Sequence, residues 1–124
     1  MPNPFSVARS ASGAAETVVL ALDGFLDAYT APSFEKAVQA ELDAGRVRLI
    51  VDCARLTYIS SAGLGVFMGF VEEIRERSGD IKISGPTPKV RQVLDLLGFP
   101  AIYDVVEDVP AAESLFAAGQ LRKG

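Results

Sequence analysis

Short runs of apolar residues alternate along the chain with segments in which apolar residues recur every third or fourth position. Four of the runs are rich in β-branched residues, a composition typical of strands buried on both faces. A weaker candidate near the amino terminus could pair with the first of them as an antiparallel hairpin, through the turn-forming stretch SASGAAE. The predicted strands are residues 5–9, 17–22, 47–52, 81–84 and 101–106.

Helical periodicity fills the intervals between these strands. In residues 32–45 the apolar positions recur at three-and-four spacing, and Pro32 lies in the first turn. In residues 87–98 Thr87 is a natural cap and Pro88 takes the first helical position. The other two predicted helices are residues 64–79 and 110–119. Strands that alternate with helices of this length predict right-handed parallel βαβ crossovers, and therefore a small α/β sandwich.

Length and charge narrow the possible classes of protein. The chain has 124 residues, of which 49% are hydrophobic, so we expect one domain over residues 1–124 with its core at about 5–118. The formal net charge is −4 and no run of Lys or Arg occurs, which argues against nucleic acid as a partner. No segment has the roughly 18 consecutive apolar residues of a membrane span or the pattern of a signal peptide. We therefore expect a cytoplasmic protein with no membrane partner.

The residues that most catalytic sites need are missing. The chain contains no histidine, which removes the common general base and the common metal ligand. Its single cysteine, Cys53, follows a predicted buried strand and is expected to be a small core residue. These observations predict a protein that is not an enzyme and that holds no metal or other cofactor.

The stretch TYISSAGLGVFMGF, residues 57–70, is unusual because glycines and serines stand where a strand leads into an apolar helix. A serine at a helix start can cap a free backbone N–H group and contribute roughly 1 kcal/mol. Capping does not explain the glycines, each of which costs about 1 kcal/mol relative to Ala inside a helix. A phosphorylated serine beside a flat, glycine-lined docking surface would explain both features. The G-x-x-x-x-G-K-[ST] pattern of a nucleotide P-loop is absent and the stretch contains no lysine, which argues against nucleotide binding.

Four segments together carry a resemblance to a known family. In order and spacing, GFLDAYTAP, VDCARLTYISSAGLGVF, ISGPTPKVRQVLDLLGF and IYDVVEDVPAAESL resemble the STAS domain of bacterial anti-sigma factor antagonists. The resemblance covers residues 18–116. It implies an α/β fold with a mixed sheet of four or five strands and about four helices packed mainly on one face.

The resemblance also implies a function. Members of the family bind a serine kinase that acts as an anti-sigma factor, and this binding releases the sigma factor. The kinase then phosphorylates a serine at the start of the second helix, which ends the interaction until a phosphatase reverses it. The alternative is a STAS adaptor or scaffold subunit of a transport or signalling complex, which would use the same surface without phosphorylation.

Matched along this chain, the phosphoacceptor of the family falls on Ser61. The family often has aspartate at the preceding position, where this chain has Ser60, so Ser60 is a second candidate acceptor. The motif G-x-L-D-x-x-T contributes an acidic residue, Asp27, to the surface that faces the partner. Tyr29 and Tyr58 lie nearby and are expected to be packing residues with their hydroxyls at the surface. The residues predicted to bind the partner are Asp27, Thr30, Ser60, Ala62, Gly63 and Gly65.

Overall fold

The computed structural model describes residues 5–122 and contains a five-stranded sheet whose strands lie in chain order. The first strand pairs antiparallel with the second, and all the other pairs are parallel. This arrangement confirms the predicted mixed sheet, including the hairpin at its amino-terminal edge. The strands are β1 (Ser6–Ala11), β2 (Val18–Leu26), β3 (Arg48–Ile59), β4 (Asp80–Ser84) and β5 (Val105–Val106).

Helices cover both faces of the sheet unequally. The four helices are α1 (Ala31–Asp43), α2 (Ser61–Glu76), α3 (Pro88–Leu96) and α4 (Val109–Ala117). The first three connect successive parallel strands and share one large buried core with the sheet. Helix α4 packs on the opposite face, where Phe116 and Ala112 meet Val19 and Ile50. Three helices on one face and one on the other agree with the prediction that the helices pack mainly on one face.

Two strands extend well beyond their predicted ends. β2 continues from residue 22 to Leu26 and β3 continues from residue 52 to Ile59. Polar residues interrupt the apolar pattern there, and shifts in the pairing of the two strands accommodate them. Because β4 ends opposite Asp52, the last part of β3 pairs with β2 alone. The two strands therefore project together and carry the loops that follow them.

The predicted strand at residues 101–106 is wrong over its first half. A single turn of 3-10 helix occupies Phe99–Ala101, and only two residues of the segment pair with β4. Tyr103 is fully buried, and its ring stacks on that of Phe99 with 4.9 Å between the centroids. The apolar residues of this segment therefore serve the core as aromatic packing rather than as a strand.

A buried network of charges lies where the parallel strands begin. Lys82 is fully buried, and its Nζ atom lies 3.0 Å from an oxygen of Asp80 and 2.7 Å from an oxygen of Asp104. The same atom donates to the carbonyl of Gln120 at 2.7 Å. Arg122 donates its backbone N–H to Asp80 and its Nε to Asp104, both at 2.9 Å. The segment after α4 thus closes this end of the sheet.

Candidate partner-binding site

The carboxyl ends of β2 and β3 lie side by side and bring the predicted site residues together. Leu26 pairs with Ile59, and the backbone N–H of Ser60 donates to the carbonyl of Leu26 at 2.9 Å. The loop that contains Asp27 and the first turn of α2 consequently leave the sheet as neighbours. Asp27 and Ser61, which lie 34 residues apart in the chain, are thereby brought to the same end of the sheet.

Asp27 and Thr30 hold the loop between β2 and α1 in a fixed shape. Oδ1 of Asp27 accepts hydrogen bonds from the backbone N–H groups of Tyr29 and Thr30, at 2.9 and 3.1 Å. The Thr30 hydroxyl accepts from the N–H of Asp27 at 2.8 Å and donates to the carbonyl of Phe25 at 2.7 Å. Thr30 is buried while Asp27 is partly exposed. The three-residue spacing of Asp27 and Thr30 in the motif thus lets each side chain hydrogen-bond the backbone of the other residue and fix the loop.

Three aromatic side chains are exposed at this end of the sheet. Tyr29 is 89% exposed, so it is not the packing residue that the sequence suggested. Phe25 and Tyr58 are about half exposed and lie in an edge-to-face arrangement with 6.1 Å between ring centroids. Sequence reasoning missed Phe25 as a surface residue because it lies in an extended strand that the apolar pattern ended too early. Exposed aromatic side chains at the end of a sheet are typical of protein interfaces.

The two serines differ sharply in their surroundings. Ser60 occupies the cap position of α2 in an extended conformation, but its side chain makes no capping hydrogen bond. Its Oγ atom is buried and has no hydrogen-bond partner among the described residues. Ser61, the first residue of the helix, is exposed to solvent. The sequence left open that one of these serines caps the helix, and neither serine side chain makes such a hydrogen bond among the described residues.

The start of α2 is suited to an added negative charge. Its first turn contains no acidic side chain, and neither serine caps its backbone N–H groups. The unpaired N–H groups and the helix dipole together give this end of a helix a partial positive charge. A phosphate on Ser61 would therefore be tolerated by the folded chain.

The three glycines of α2 differ in the space around them. Gly63 is buried, and a Cβ atom placed on it would lie 2.6 Å from Cγ of Leu26 and 3.2 Å from Cγ1 of Ile59. This glycine lets α2 begin directly against the ends of β2 and β3. Gly65 and Gly69 are exposed, and an added Cβ would meet nothing within 4 Å. Contacts within the chain explain the first glycine and leave the other two without a packing role.

Metal-binding groups, the cysteine thiol and the lengths of the helices bear on other kinds of function in the described part of the chain. Residues 5–122 hold no group of His, Cys, Asp and Glu side chains that could bind a metal ion. Burial, reinforced by the charge of Asp52, raises the pKa of the Cys53 thiol to about 12, so this thiol is not a ready nucleophile. No helix within these residues is long and apolar enough to cross a membrane.

Comparison with known proteins agrees with the fold and the site. The family model of the STAS domain matches residues 8–112. The anti-sigma factor antagonist BtrV of Bordetella bronchiseptica is 32% identical over 99 residues, which are 80% of this chain and 85% of that protein. The chain belongs to the STAS domain family. Within that family, the relatives that it matches are named as anti-sigma factor antagonists.

Three solved structures show the same fold at lower identity. An anti-sigma factor antagonist from Mycobacterium paratuberculosis superposes with a TM-score of 0.82 at 19% identity, covering 92% of this chain and 95% of that one. Unphosphorylated SpoIIAA, an anti-sigma factor antagonist, gives 0.74 at 22% identity, covering 90% and 96%. The phosphorylated form of SpoIIAA from Bacillus gives 0.66 at 22% identity, covering 90% and 98%.

Proposed function

We propose that this chain is an anti-sigma factor antagonist that binds an anti-sigma factor serine kinase and is released when Ser61 is phosphorylated. The observation that carries the proposal is the exposed Ser61 at the uncapped start of α2, next to exposed Ala62 and Gly65 and at the same end of the sheet as the exposed aromatic side chains. In this role the chain is a kinase substrate rather than a catalyst and acts in the cytoplasm. A phosphoserine phosphatase restores binding.

Accessibility favours Ser61 over Ser60 as the phosphoacceptor. A kinase must bring the γ-phosphate in line with the attacking hydroxyl, which requires a solvent-accessible oxygen. The Oγ of Ser60 is buried, whereas Ser61 is exposed. The fold neighbour SpoIIAA, which has been solved with and without phosphate, supports the idea that this fold carries the modification.

Phosphate would end binding by the cost of burying its charge. Phosphorylation adds a charge of about −1.5 to −2 at pH 7. In the free chain this charge is hydrated and lies at the positive end of α2, but under a partner it would lose its water. Residues 57–70 contain no lysine or arginine to pair with it. A buried charge without a partner costs a few kcal/mol, which corresponds to a loss of affinity of about 100-fold or more.

The end of the sheet that carries Ser61 supplies contacts of the kind that such an interface needs. Tyr29, Phe25 and Tyr58 offer exposed aromatic area, and aromatic residues dominate the energetics of protein interfaces. Asp27 holds Tyr29 in place through its Oδ1 atom, and its Oδ2 makes no hydrogen bond within residues 5–122. Asp27 thus has two roles in the proposal: it positions the loop and offers a negative charge to the partner.

Three single variants test the proposal against the kinase that co-purifies with the wild-type chain. Ser61→Asp should weaken binding at least about tenfold, because it adds part of the charge of a phosphate. Ser61→Ala should bind like the wild type and accept no phosphate from the kinase and ATP. Ser60→Ala is the matched control and should bind and be phosphorylated like the wild type.

Isothermal titration calorimetry measures the affinities, and mass spectrometry of the tryptic peptides locates the phosphate. Full binding by Ser61→Asp would refute the switch, and a phosphate on Ser60 would move it to the neighbouring residue. If transporter or scaffold subunits co-purify in place of a kinase, and no phosphopeptide is found, the chain is a STAS adaptor instead.

A further inference from the structure

The outer face of α2 continues well beyond the candidate site. Exposed positions recur along it every third or fourth residue, so they form one stripe on the helix. The half of the stripe near Ser61 carries small side chains and a methionine, and the far half carries glutamates. The stripe consists of Ser61, Gly65, Met68, Gly69, Glu72 and Glu76.

The segment that contains Ile102 and Tyr103 borders this stripe. The Tyr103 hydroxyl donates to Sδ of Met68 at 3.4 Å, and Nη2 of Arg75 donates to the carbonyl of Ile102 at 2.6 Å. These contacts hold the segment after the 3-10 turn against α2. Met68 is 50% exposed and Ile102 36%. We call Met68, Ile102, Glu72 and Glu76 the Met68 surface.

The charges of the Met68 surface are not balanced within the chain. Glu73, on the adjacent side of the helix, pairs with Arg77 at 3.2 Å. Glu72 and Glu76, one turn apart on the stripe, form no ion pair or hydrogen bond with any residue in the range 5–122. Two uncompensated carboxylates beside exposed apolar side chains are complementary to a partner that places lysine or arginine next to apolar residues.

The shape of the surface indicates that the partner element is a helix. Gly65 and Gly69 cost helix stability and have no packing role in the chain, since an added Cβ would meet nothing within 4 Å. They leave the backbone of α2 open to close approach from outside. A helix that lies along α2 could pack tightly there and place successive turns opposite Met68, Glu72 and Glu76.

We propose that a basic amphipathic helix of the anti-sigma factor kinase docks along α2 on the Met68 surface. This inference rests on the proposed function and names the part of the partner that the site receives. Ser61 and Met68 are seven residues apart in one helix, or about 10 Å along its axis. One interface of ordinary size, about 800 Å² on each partner, covers both. A phosphate on Ser61 then stands at one end of the docked helix.

The test compares two charge-reversed double variants with the wild-type chain for binding to the purified kinase. Glu72→Lys with Glu76→Lys should weaken binding at least about tenfold at low salt, and the remaining affinity should depend less on salt. Glu35→Lys with Glu107→Lys changes the net charge equally at exposed positions outside the Met68 surface, and should bind much more like the wild type.

Two variants of Met68 test the apolar part of the surface. Met68→Asp should weaken binding about tenfold or more, whereas Met68→Leu should weaken it much less, because leucine keeps the apolar area and loses only the sulfur that accepts from Tyr103. Circular dichroism shows whether each variant is folded. Met68→Asp also removes the hydrogen bond from Tyr103, whereas the Glu72/Glu76 double variant leaves that bond intact, so the two sets of variants are read together.

The outcomes separate this inference from the proposed function. If Ser61→Asp weakens binding while the Met68 and Glu72/Glu76 variants bind like the wild type, the kinase uses the Ser61 end alone and the docked helix is refuted. An equal loss in the control double variant would make the effect one of net charge and would also refute it. If no kinase binds the wild-type chain, the proposed function fails and this inference fails with it.

Discussion

Single residues of α2 show how the same amino acid serves packing at one position and not at another. Gly63→Ala should destabilise the fold by roughly 1–3 kcal/mol, because its Cβ would lie 2.6 Å from Leu26 and force the helix start away from the sheet. Gly65→Ala should instead stabilise the isolated chain by up to about 1 kcal/mol, since the new methyl group enters open space and favours the helix. Urea denaturation measures both changes in the free energy of unfolding.

Gly69→Ala provides the control for this comparison, because Gly69 shares the open surroundings of Gly65 and lies one turn further along the helix. It should stabilise the chain to a similar extent. If Gly63→Ala were as stable as the wild type, the close contact between α2 and the strand ends would be absent in solution.

Cys53 provides a second prediction at the level of one residue. The thiol is buried and burial raises its pKa to about 12, so very little thiolate forms at pH 8. Ellman's reagent should therefore leave the native chain unlabelled and react with one thiol per chain in denaturant. Rapid labelling of the native chain at pH 8 would mean that β3 opens locally far more often than its burial implies.

The difference between the two serines shows what the sequence of the site could not reveal. The motif placed Ser60 and Ser61 at the start of a helix, which the structure bears out. Which of the two hydroxyls faces solvent depends on the path of the chain as it leaves β3, and this path is set by the hydrogen bond from Ser60 to Leu26, a residue 34 positions earlier. A contact between residues so far apart in the chain produces no periodic pattern of apolar residues from which it could be predicted.

At the scale of the elements, the hydrophobic pattern located the five strands and the four α-helices of the described residues but misjudged ends that tertiary contacts determine. The strands β2 and β3 carry Asp23 and Arg55 in their extensions, and these side chains form an exposed ion pair at 3.1 Å. A polar pair across two strands looks like a loop in each strand alone. Conversely, the apolar residues around Tyr103 looked like a strand because burial among aromatic rings gives the same pattern.

The network between β4 and the segment after α4 leads to a prediction about pH. Burial alone would raise the pKa of Asp104, but hydrogen bonds and charges from Lys82 and Arg122 outweigh it, and the pKa is lowered. A carboxylate whose pKa is lower in the folded state stabilises the fold above its unfolded pKa of about 3.9 and loses that effect as the pH falls further. The free energy of unfolding should therefore decrease on acidification from about pH 5 to pH 3.

Asp104→Asn separates this contribution from those of the other carboxylates. The variant should be less stable than the wild type at pH 6, and the difference should shrink as the pH approaches 3. Chemical denaturation at each pH measures it. A difference that stays constant across this range would show that Asp104 contributes by packing and not by its charge.

At the scale of the whole molecule, the structure separates the proposed binding end from the buried charges. Ser61 follows the carboxyl end of β3, while Lys82 pairs in register with Ile50 near the start of that strand. From Ile50 to Ile59, the last residue of β3, the strand advances nine residues, so the Ser61 end and the Lys82 end of the sheet lie roughly 30 Å apart. The alternation of strands and helices predicts this polarity, since parallel crossovers bring all the helix starts of α1–α3 to one end of the sheet.

This separation predicts that changes at the two ends are independent. Lys82→Met should destabilise the fold by about 3 kcal/mol, because it leaves the buried carboxylate of Asp80 without one of its cations. Ser61→Asp should be neutral or stabilise the fold by about 0.5 kcal/mol, because it adds a negative charge at the positive end of α2. For sites this far apart with no shared contacts, the effects on the free energy of unfolding should add within about 0.5 kcal/mol.

Urea denaturation of the wild type, the two single variants and the double variant completes the cycle. Additivity would mean that the phosphorylation site can change charge without loosening the core, so a switch at Ser61 acts on the partner and not on the fold. A coupling above about 1 kcal/mol would mean that charge at the start of α2 is felt at the far end of the sheet. Phosphorylation would then release the partner by altering the folded chain as well as by the burial of charge, and the effect of Ser61→Asp on binding should grow in the Lys82→Met background.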